Sequence, residues 1–194
     1  MGTKERILET ALRLFNEQGI DVITIRHIAK EMEISHSNIQ YYFKNADEII
    51  ATIYEQHLAA LESTGIIESM PELMDSIKTI LTHIYRYRFI YIYFVAIVRR
   101  LPDLKTFYNN RYKIRREQLL KTFALFREQG IFRADLPDHV WESLVKQIYT
   151  IGDFWISANE LTTNYKGPAV VKAYASLITD MLYPYLTAKG RKSL

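Results

Sequence analysis

The sequence predicts an all-α protein, with an N-terminal three-helix helix-turn-helix domain followed by a larger helical domain. Apolar residues recur at helical spacing along most of the chain, and residues that favour helix caps precede several of these segments. Seven Gly and five Pro in 194 residues leave little room for the many turns of a sheet protein. An apolar share of 48% and a charged share of 24% are typical of a globular protein with a core.

Three helices are predicted before residue 45. Thr3 is the expected cap of the first, and Gly19 is its stop signal. Thr24 caps a shorter second helix, in which apolar residues follow at i, i+3, i+4 and i+7 spacing. We place the third helix over Ser35–Lys44, with Ser35 as its cap.

The fourth helix is predicted to begin with a capping box at Asn45–Glu48 and to run to about Ser63. Pro71 suits the first residue of a fifth helix. Arg86–Val95 is rich in β-branched and aromatic residues, which favours a strand. However, no second strand of comparable quality exists in the sequence, and a lone strand would leave its backbone unpaired. We therefore predict a helix there too.

Three longer helices are predicted to complete the chain. One covers Asp103–Gly130, another begins at Pro137, and the last begins at Gly167–Pro168, with a kink or frayed end at Pro184. The residues expected to face inward are Phe107, Tyr108, Tyr112, Leu119, Leu120, Phe123 and Phe126, then Trp141, Leu144, Val145, Ile148, Gly152 and Trp155, and finally Val170, Tyr174, Leu177, Ile178, Met181 and Tyr185.

Several function classes are not expected from this composition. With no Cys and no metal-ligand spacing among the five His, neither a metal site nor a disulfide is expected. The absence of a Gly-rich phosphate loop, a nucleophile elbow or paired carboxylates argues against an enzyme and against a cofactor. The charged start at Lys4–Arg6 does not resemble a signal peptide, and the longest apolar run, Phe89–Val98, is about half a membrane span. A cytoplasmic protein without a membrane partner is expected.

The third predicted helix has an outward face without acidic groups. At about 100° per residue, Ile39 and Phe43 point together toward a core. The other side and its flank present only groups that donate or accept hydrogen bonds, from His36, Ser37, Asn38, Gln40, Tyr41 and Lys44. A surface helix selected only for solubility would normally carry Glu as well as Lys. With the short helix before it, this face predicts a helix-turn-helix whose second helix lies in the DNA major groove.

Charge is distributed unevenly along the chain. Residues 1–50 hold six Lys/Arg and eight Asp/Glu, whereas residues 86–133 hold twelve Lys/Arg and three Asp/Glu. Non-specific affinity for DNA should therefore be modest, and specificity should come from direct base contacts. The basic excess of residues 86–133 is either a solvated face or a site where Arg99 or Arg100 attracts an anionic effector.

The stretch "TIRHIA" at Thr24–Ala29 is followed by "ISHSNIQYYFKNADEI" at Ile34–Ile49. With "LFNEQGID" at the end of the first helix, these residues resemble the DNA-binding signature of the TetR family of bacterial transcriptional regulators. The resemblance covers about Thr10–Ile50, and the rest of the chain is similar in helix count and in segments such as "RRLPDL" and "GDFW". By position, it implies that Thr24 and Arg26 contact the DNA backbone and a flanking base.

The same resemblance places the third helix in the groove, with its end against phosphates. The complete set of predicted DNA-binding residues is Thr24, Arg26, Ser35, His36, Ser37, Asn38, Gln40, Tyr41 and Lys44. Three positions depart from the family pattern: Glu33 stands where Gly is usual in the turn, Gln40 where Tyr is usual, and Ala46 where Lys is usual. Lys44 and the amide end of the fourth helix could partly replace the missing Lys.

The resemblance implies a homodimeric regulator, most simply a repressor that leaves a palindromic double-stranded operator when a small-molecule effector binds. Residues 1–50 would bind DNA, and residues 51–194 would dimerise through the last two helices and sense the effector. The candidate pocket residues, for which core packing is the alternative interpretation, are Tyr91, Phe94, Tyr112, Phe123, Tyr149, Asp153 and Trp155. The rival hypothesis is a helical ligand-binding or scaffolding protein with a degenerate DNA-binding head, as Glu33 and Ala46 hint.

Overall fold

The computed structural model describes residues 2–61 and 65–194, and in these ranges the chain forms helices and no β-strand. A single isolated antiparallel bridge joins Phe132 and Leu186. The helices are α1 (Thr3–Gln18), α2 (Ile25–Glu31), α3 (His36–Gln40), α4 (Ala46–Ala60), α5 (Met70–Arg86), α6 (Arg88–Ile92), α7 (Phe94–Arg100), α8 (Pro102–Glu128), α9 (Asp138–Leu161), α10 (Pro168–Leu182) and α11 (Ala188–Arg191), with a 3₁₀ helix at Tyr183–Tyr185. None of the described helices combines the length and apolar character needed to cross a membrane.

Side-chain caps begin three of the first four helices, as predicted. Thr24 accepts from the His27 amide, and the His27 ring accepts from the Thr24 amide in return. The Ser35 hydroxyl accepts from the Asn38 amide at 3.2 Å, and Asn45 Oδ1 accepts from the amide three residues on at 3.0 Å. The prediction for Thr3 is wrong, because Gly2 occupies the cap position and Thr3 is the first helical residue. The predicted end of the fourth helix, Ser63, lies outside the described residues.

The turn between α2 and α3 is a Schellman motif closed by a glutamate. The Ile34 amide donates to the Ala29 carbonyl at 3.0 Å, and the Glu33 amide donates to the Lys30 carbonyl at 3.2 Å. This pair of bonds requires a left-handed residue between them, and Glu33 adopts a φ of 55°. The left-handed region favours Gly, because a side chain there crowds the following carbonyl. Glu33 thus keeps the turn of the motif, at the cost of backbone strain.

The third helix is shorter than predicted. It ends at Gln40, and the chain then tightens: the Tyr42 amide donates to the carbonyl of Ile39, three residues back, and so does the Phe43 amide, at 2.9 Å in both cases. The tightening directs Phe43 into the core beside Ile39, and both side chains are buried. The Lys44 amide already belongs to the next cap, because it donates to the Glu48 carboxylate at 2.7 Å.

The aromatic segment after α5 is helical, which confirms the prediction made against a strand. Two short helices, α6 and α7, meet at Tyr93, where the backbone departs from helical geometry. Asn16 of α1 supports the first turn of α6, because its Oδ1 accepts from the Phe89 amide at 3.0 Å. The Phe15 and Phe89 rings pack with centroids 5.2 Å apart, so α6 covers the apolar face of α1.

Backbone contacts divide the chain into two compact units. The N-terminal unit contains Met1–Leu61 and Tyr87–Phe107, and the C-terminal unit contains Glu62–Arg86 and Tyr108–Leu194. Helices α6 and α7 are therefore compact with the first four helices. The predicted functional boundary at residue 50 concerns activity and stays a prediction.

The C-terminal unit is built around an aromatic core contributed by α8, α9 and the segment between them. Phe132 and Trp141 stack with centroids 5.4 Å apart, and Phe123 packs against both rings. The prediction that Leu177 faces inward is wrong, because its side chain is 47% exposed on α10. Phe107, in the N-terminal unit, is likewise exposed. Pro184 ends α10 in the 3₁₀ helix, which confirms the predicted distortion.

Candidate nucleic-acid interface and polar cluster

The outward face of α3 is accessible along its length. Of the nine predicted DNA-binding residues, His36 is half-buried and the other eight, Thr24, Arg26, Ser35, Ser37, Asn38, Gln40, Tyr41 and Lys44, are exposed. Tyr41 is 82% exposed, a large value for an aromatic side chain that has an apolar core beside it. An exposed aromatic ring with a terminal hydroxyl is suited to pack on, and donate to, a polar surface.

The start of α3 is held in a fixed conformation. The Ser35 hydroxyl accepts from the Asn38 amide and lies 3.0 Å from the Ser37 hydroxyl, so two of the predicted groove residues hydrogen-bond each other. Ile39 is fully buried and anchors the helix from its other side. The exposed side chains of Ser37 and Asn38 therefore project from a rigid base, which lowers the entropy lost on binding.

Acidic and basic groups near this face are paired off within the N-terminal unit. Asp47, in the first turn of α4, forms an ion pair with Arg100 of α7. Both charges are favourable for their helix ends, a carboxylate near an N-terminus and a guanidinium near a C-terminus. Arg100, one of the two arginines considered above as an anion-attracting residue, therefore already has an anionic partner in its own unit.

Lys4 is a basic residue near this face that sequence reasoning missed. Its ammonium lies 5.6 Å from the centre of the Phe43 ring, which places it beside the end of the recognition segment. The contact joins residues 39 positions apart, and no local sequence pattern indicates it.

The predicted pocket residues do not form one group. Tyr91 and Phe94 belong to the N-terminal unit, whereas the other five belong to the C-terminal unit. Tyr91 is 7% exposed and hydrogen-bonds His57. Phe123 is part of the aromatic core, and the buried Trp155 packs on Tyr174 with ring centroids 4.7 Å apart.

The remaining three predicted residues, Tyr112, Tyr149 and Asp153, lie together between α8 and α9. The Tyr112 and Tyr149 rings meet edge to face with centroids 4.6 Å apart. The Tyr108 hydroxyl donates to Asp153 Oδ2. Burial raises the pKa of Asp153 to about 6, against the smaller opposing effect of this hydrogen bond. Burial likewise raises the pKa of Tyr149 to about 12.

Two arginines complete this α8–α9 cluster, and sequence reasoning missed their part in it. Arg111 is 8% exposed, and burial together with repulsion from Arg115 lowers its pKa. Burial also lowers the pKa of Arg115, which hydrogen-bonds Tyr149 and donates to Gln118 at 2.9 Å. The signal was present as a polar stripe at i, i+3, i+4 and i+7 from Tyr108, but it was counted only as general basic charge.

The cluster has no metal-site chemistry that the structure supports. Among residues 2–61 and 65–194, no three His, Asp or Glu side chains are grouped so that they could hold a metal ion. The groups of the α8–α9 cluster are instead hydrogen-bond donors and two cations.

Comparison with known proteins identifies relatives of both halves of the chain. The family described as bacterial transcriptional repressor, TetR, matches residues 39–194, and the bacterial regulatory proteins of the tetR family match residues 7–53. The probable HTH-type transcriptional regulator YttP of Bacillus subtilis is 27% identical over 92 residues. That match covers 45% of this chain and 44% of YttP, so it spans less than half of the curated relative.

Solved structures share the fold along nearly the whole chain. A TetR-family transcriptional regulator from Marinobacter aquaeolei VT8 has a TM-score of 0.86 at 22% identity, covering 99% of this chain and 95% of that one. SmeT, in a complex with triclosan, has a TM-score of 0.65 at 15% identity, covering 97% of this chain and 93% of that one. At these identities the likeness concerns the fold.

Proposed function

This chain belongs to the TetR family and is a DNA-binding transcriptional regulator, and we propose that it is a homodimeric repressor released from a palindromic operator by a small-molecule effector. A regulator of this kind acts where bacterial DNA lies, so we place it in the cytoplasm. The single observation that carries the proposal is the exposed, acid-free face of the capped helix α3.

The side chains of α3 suit direct readout in a major groove. Asn38 can form paired hydrogen bonds to an adenine edge, and Gln40 has the same amide chemistry. Tyr41 and Lys44 follow the helix and suit phosphate contacts, as does Arg26 at the start of α2. Phosphate contacts fix the position of the helix, and the amides supply sequence specificity.

Apolar side chains exposed on α9 and α10 support dimerisation through these helices. Phe154 is 45% exposed, Leu161 is 86% exposed, and Leu177 is 47% exposed. Exposed apolar side chains of this size on the last two long helices suit burial against a second copy of the chain. Two symmetric recognition helices would then read half-sites about 34–36 Å apart, or a multiple of that spacing.

Effector release requires only a modest free-energy coupling. A ligand that binds one head spacing better than another by a few kcal/mol changes operator affinity by orders of magnitude. The complex of the relative SmeT with triclosan supports a small-molecule site for this fold. The fourth helix, α4, follows the DNA-contacting segment directly and is the element we expect to transmit the change.

Selection of bound fragments from bacterial genomic DNA tests the proposal. We expect enrichment of a palindrome, and we expect Asn38→Ala and Tyr41→Ala each to weaken operator binding by at least tenfold. Asn110→Ala, which removes the same amide from an exposed position on α8, is the matched control and should bind normally. No enriched sequence at any salt concentration, or normal operator binding by the Asn38→Ala/Tyr41→Ala double variant, would contradict the proposal.

The salt dependence of operator binding measures the phosphate contribution separately. With few basic side chains near α3, the slope of log K against log salt should be much shallower than about −10. A slope near that value would mean that many more phosphates are neutralised than Arg26, Tyr41 and Lys44 can explain.

A further inference from the structure

We propose that the effector is an organic monoanion, a carboxylate on an aromatic or other apolar body, and that Arg111 and Arg115 hold its carboxylate. This inference rests on the proposed function, because it names the chemical class of the ligand that would release the operator.

Arg111 is a buried cation on α8. Its side chain is 8% exposed, and taking a guanidinium out of water is unfavourable unless anionic or polar groups compensate. Arg115 lies four residues further along α8, so the two guanidiniums share one face of the helix, where like charges destabilise each other. Repulsion from Arg115 is the second cause, after burial, of the lowered pKa of Arg111. An anion placed between these two groups would relieve both effects.

The tyrosine that faces this pair cannot neutralise it. Tyr149 of α9 accepts a hydrogen bond from Arg115, but its pKa is raised to about 12, so the phenol is uncharged at neutral pH. Its hydroxyl is both donor and acceptor. It can therefore donate to a carboxylate oxygen of a bound ligand while Arg115 turns to the same group.

Asp153 contributes at most one negative charge to the cluster. Its carboxyl group is engaged by the Tyr108 hydroxyl, and burial raises its pKa to about 6. The charged groups that act on the Tyr149 hydroxyl therefore include two guanidiniums and one carboxylate. A single negative charge offsets the difference, which favours a monoanion over a doubly charged phosphate. The planar fork of Arg also matches the geometry of a carboxylate.

The walls of the cluster favour an apolar body on the ligand. Tyr112 and Tyr149 present ring edges and faces to each other, with an interplanar angle of 69°. Leu119, Ile148 and Tyr149 are partly buried and pack against the aromatic core of the C-terminal unit. A site that combines a few charged groups with aromatic and aliphatic side chains is typical of small-molecule recognition.

Calorimetric titration of the full-length protein, without DNA, tests the inference with matched acids and amides. The probes are benzoate, phenylacetate and decanoate, each compared with its uncharged amide, together with inorganic phosphate and choline. We expect at least one acid to bind at least tenfold more tightly than its amide. Arg111→Gln and Arg115→Gln should each weaken that binding at least tenfold. Lys113→Gln is the control, because it removes one positive charge from an exposed position on α8.

The melting temperature of the unliganded protein separates ligand binding from a structural role. Because Arg111→Gln removes a buried charge and a repulsion, we expect it to raise the melting temperature while it abolishes acid binding. A variant that lost acid binding together with several degrees of melting temperature would indicate a structural role and would count against the inference. Arg111→Lys, which keeps the charge and loses the planar fork, should bind the acid with intermediate affinity.

Three results would overturn the inference: no acid binds, an amide binds as tightly as its acid, or phosphate or choline binds more tightly than every acid. These outcomes are separable from failure of the proposed function. An enriched palindrome with no acid binding would reject only the anionic effector. Acid binding that follows Arg111 and Arg115, with no enriched DNA sequence, would reject only the repressor.

Discussion

The imidazole Nε2 of His57 and the hydroxyl of Tyr91 lie 2.7 Å apart in a buried hydrogen bond that joins α4 to α6. His57 is fully buried, and its ring also contacts Tyr87 with centroids 4.8 Å apart. The helix that follows the DNA-contacting segment is thus tied by polar as well as apolar contacts to a segment more than 30 residues away. His57 has a structural partner rather than a ligand-binding neighbour, which no spacing in the sequence indicates.

Tyr91→Phe should lower the free energy of unfolding by about 1–2 kcal/mol, because it removes one partner of a buried hydrogen bond and keeps the ring. Chemical denaturation monitored by circular dichroism measures the change. Tyr41→Phe removes the same hydroxyl from a ring that is 82% exposed and should leave stability unchanged. Equal stability of the wild type and Tyr91→Phe would show that the hydrogen bond makes no net contribution.

Gly19→Ala should destabilise the protein more than Gly130→Ala. Both glycines have a left-handed φ, 88° and 68°, so the backbone penalty of about 1 kcal/mol is common to the two changes. A Cβ on Gly19 would in addition collide with the Tyr93 hydroxyl, whereas a Cβ on Gly130 meets nothing within 4 Å. We expect the overlap to add about 1–3 kcal/mol. In a Tyr93→Phe background the difference between the two variants should shrink, and a difference that persisted would mean that Tyr93 is not its cause.

Glu33→Gly should stabilise the protein by about 1 kcal/mol, since it relieves a left-handed side chain in the turn between α2 and α3. For a chain of this length that corresponds to an increase in melting temperature of about 2–4 °C. Glu33→Ala is the control, because it removes the same carboxylate and keeps the strained backbone. If Ala stabilised as much as Gly, the gain would come from the lost charge instead.

Asp153 should make stability fall as the pH rises toward neutrality. Its pKa is about 6 in the folded protein and ordinary when unfolded, so between these values the folded state binds more protons. The stabilising contribution is complete in acid and is lost as the pH rises through about 6. A difference of about two pKa units corresponds to about 3 kcal/mol as an upper limit.

Asp153→Asn tests this dependence, because the amide oxygen can still accept from Tyr108. Urea unfolding between pH 4.5 and 7.5 should show the variant gaining on the wild type as the pH increases. Asp135, whose pKa is lowered by a hydrogen bond from Arg133, is an exposed control that should show no such gain when changed to Asn. A constant difference between variant and wild type across the pH range would rule out titration of Asp153.

Local features of this fold could be predicted, because their causes lie within a few residues. The caps at Thr24, Ser35 and Asn45 each depend on a side chain and an amide three positions apart. The strained turn at Glu33 followed from the motif in the same way. Thr3 failed because a residue that can cap can also begin the helix, and a sequence pattern does not distinguish the two.

Features set by distant contacts could not be predicted. The end of α3 depends on Phe43 reaching the core, and the break at Tyr93 lies where α6 and α7 pack beside α1. The α8–α9 cluster combined Asp153 and Tyr149, which were predicted, with Arg111, which was not. Its burial arises from the packing of two helices and not from any pattern along one of them.

The N-terminal unit takes Tyr87–Phe107 from beyond α5, so the polypeptide passes between the two compact units three times. Heads of related regulators therefore cannot be exchanged by one recombination event after α4, since the transplanted α1 would meet a foreign residue at Phe89 and lose the amide that Asn16 accepts from. A functional chimera would need two inherited blocks, residues 1–61 together with residues 87–107, carried from the same parent.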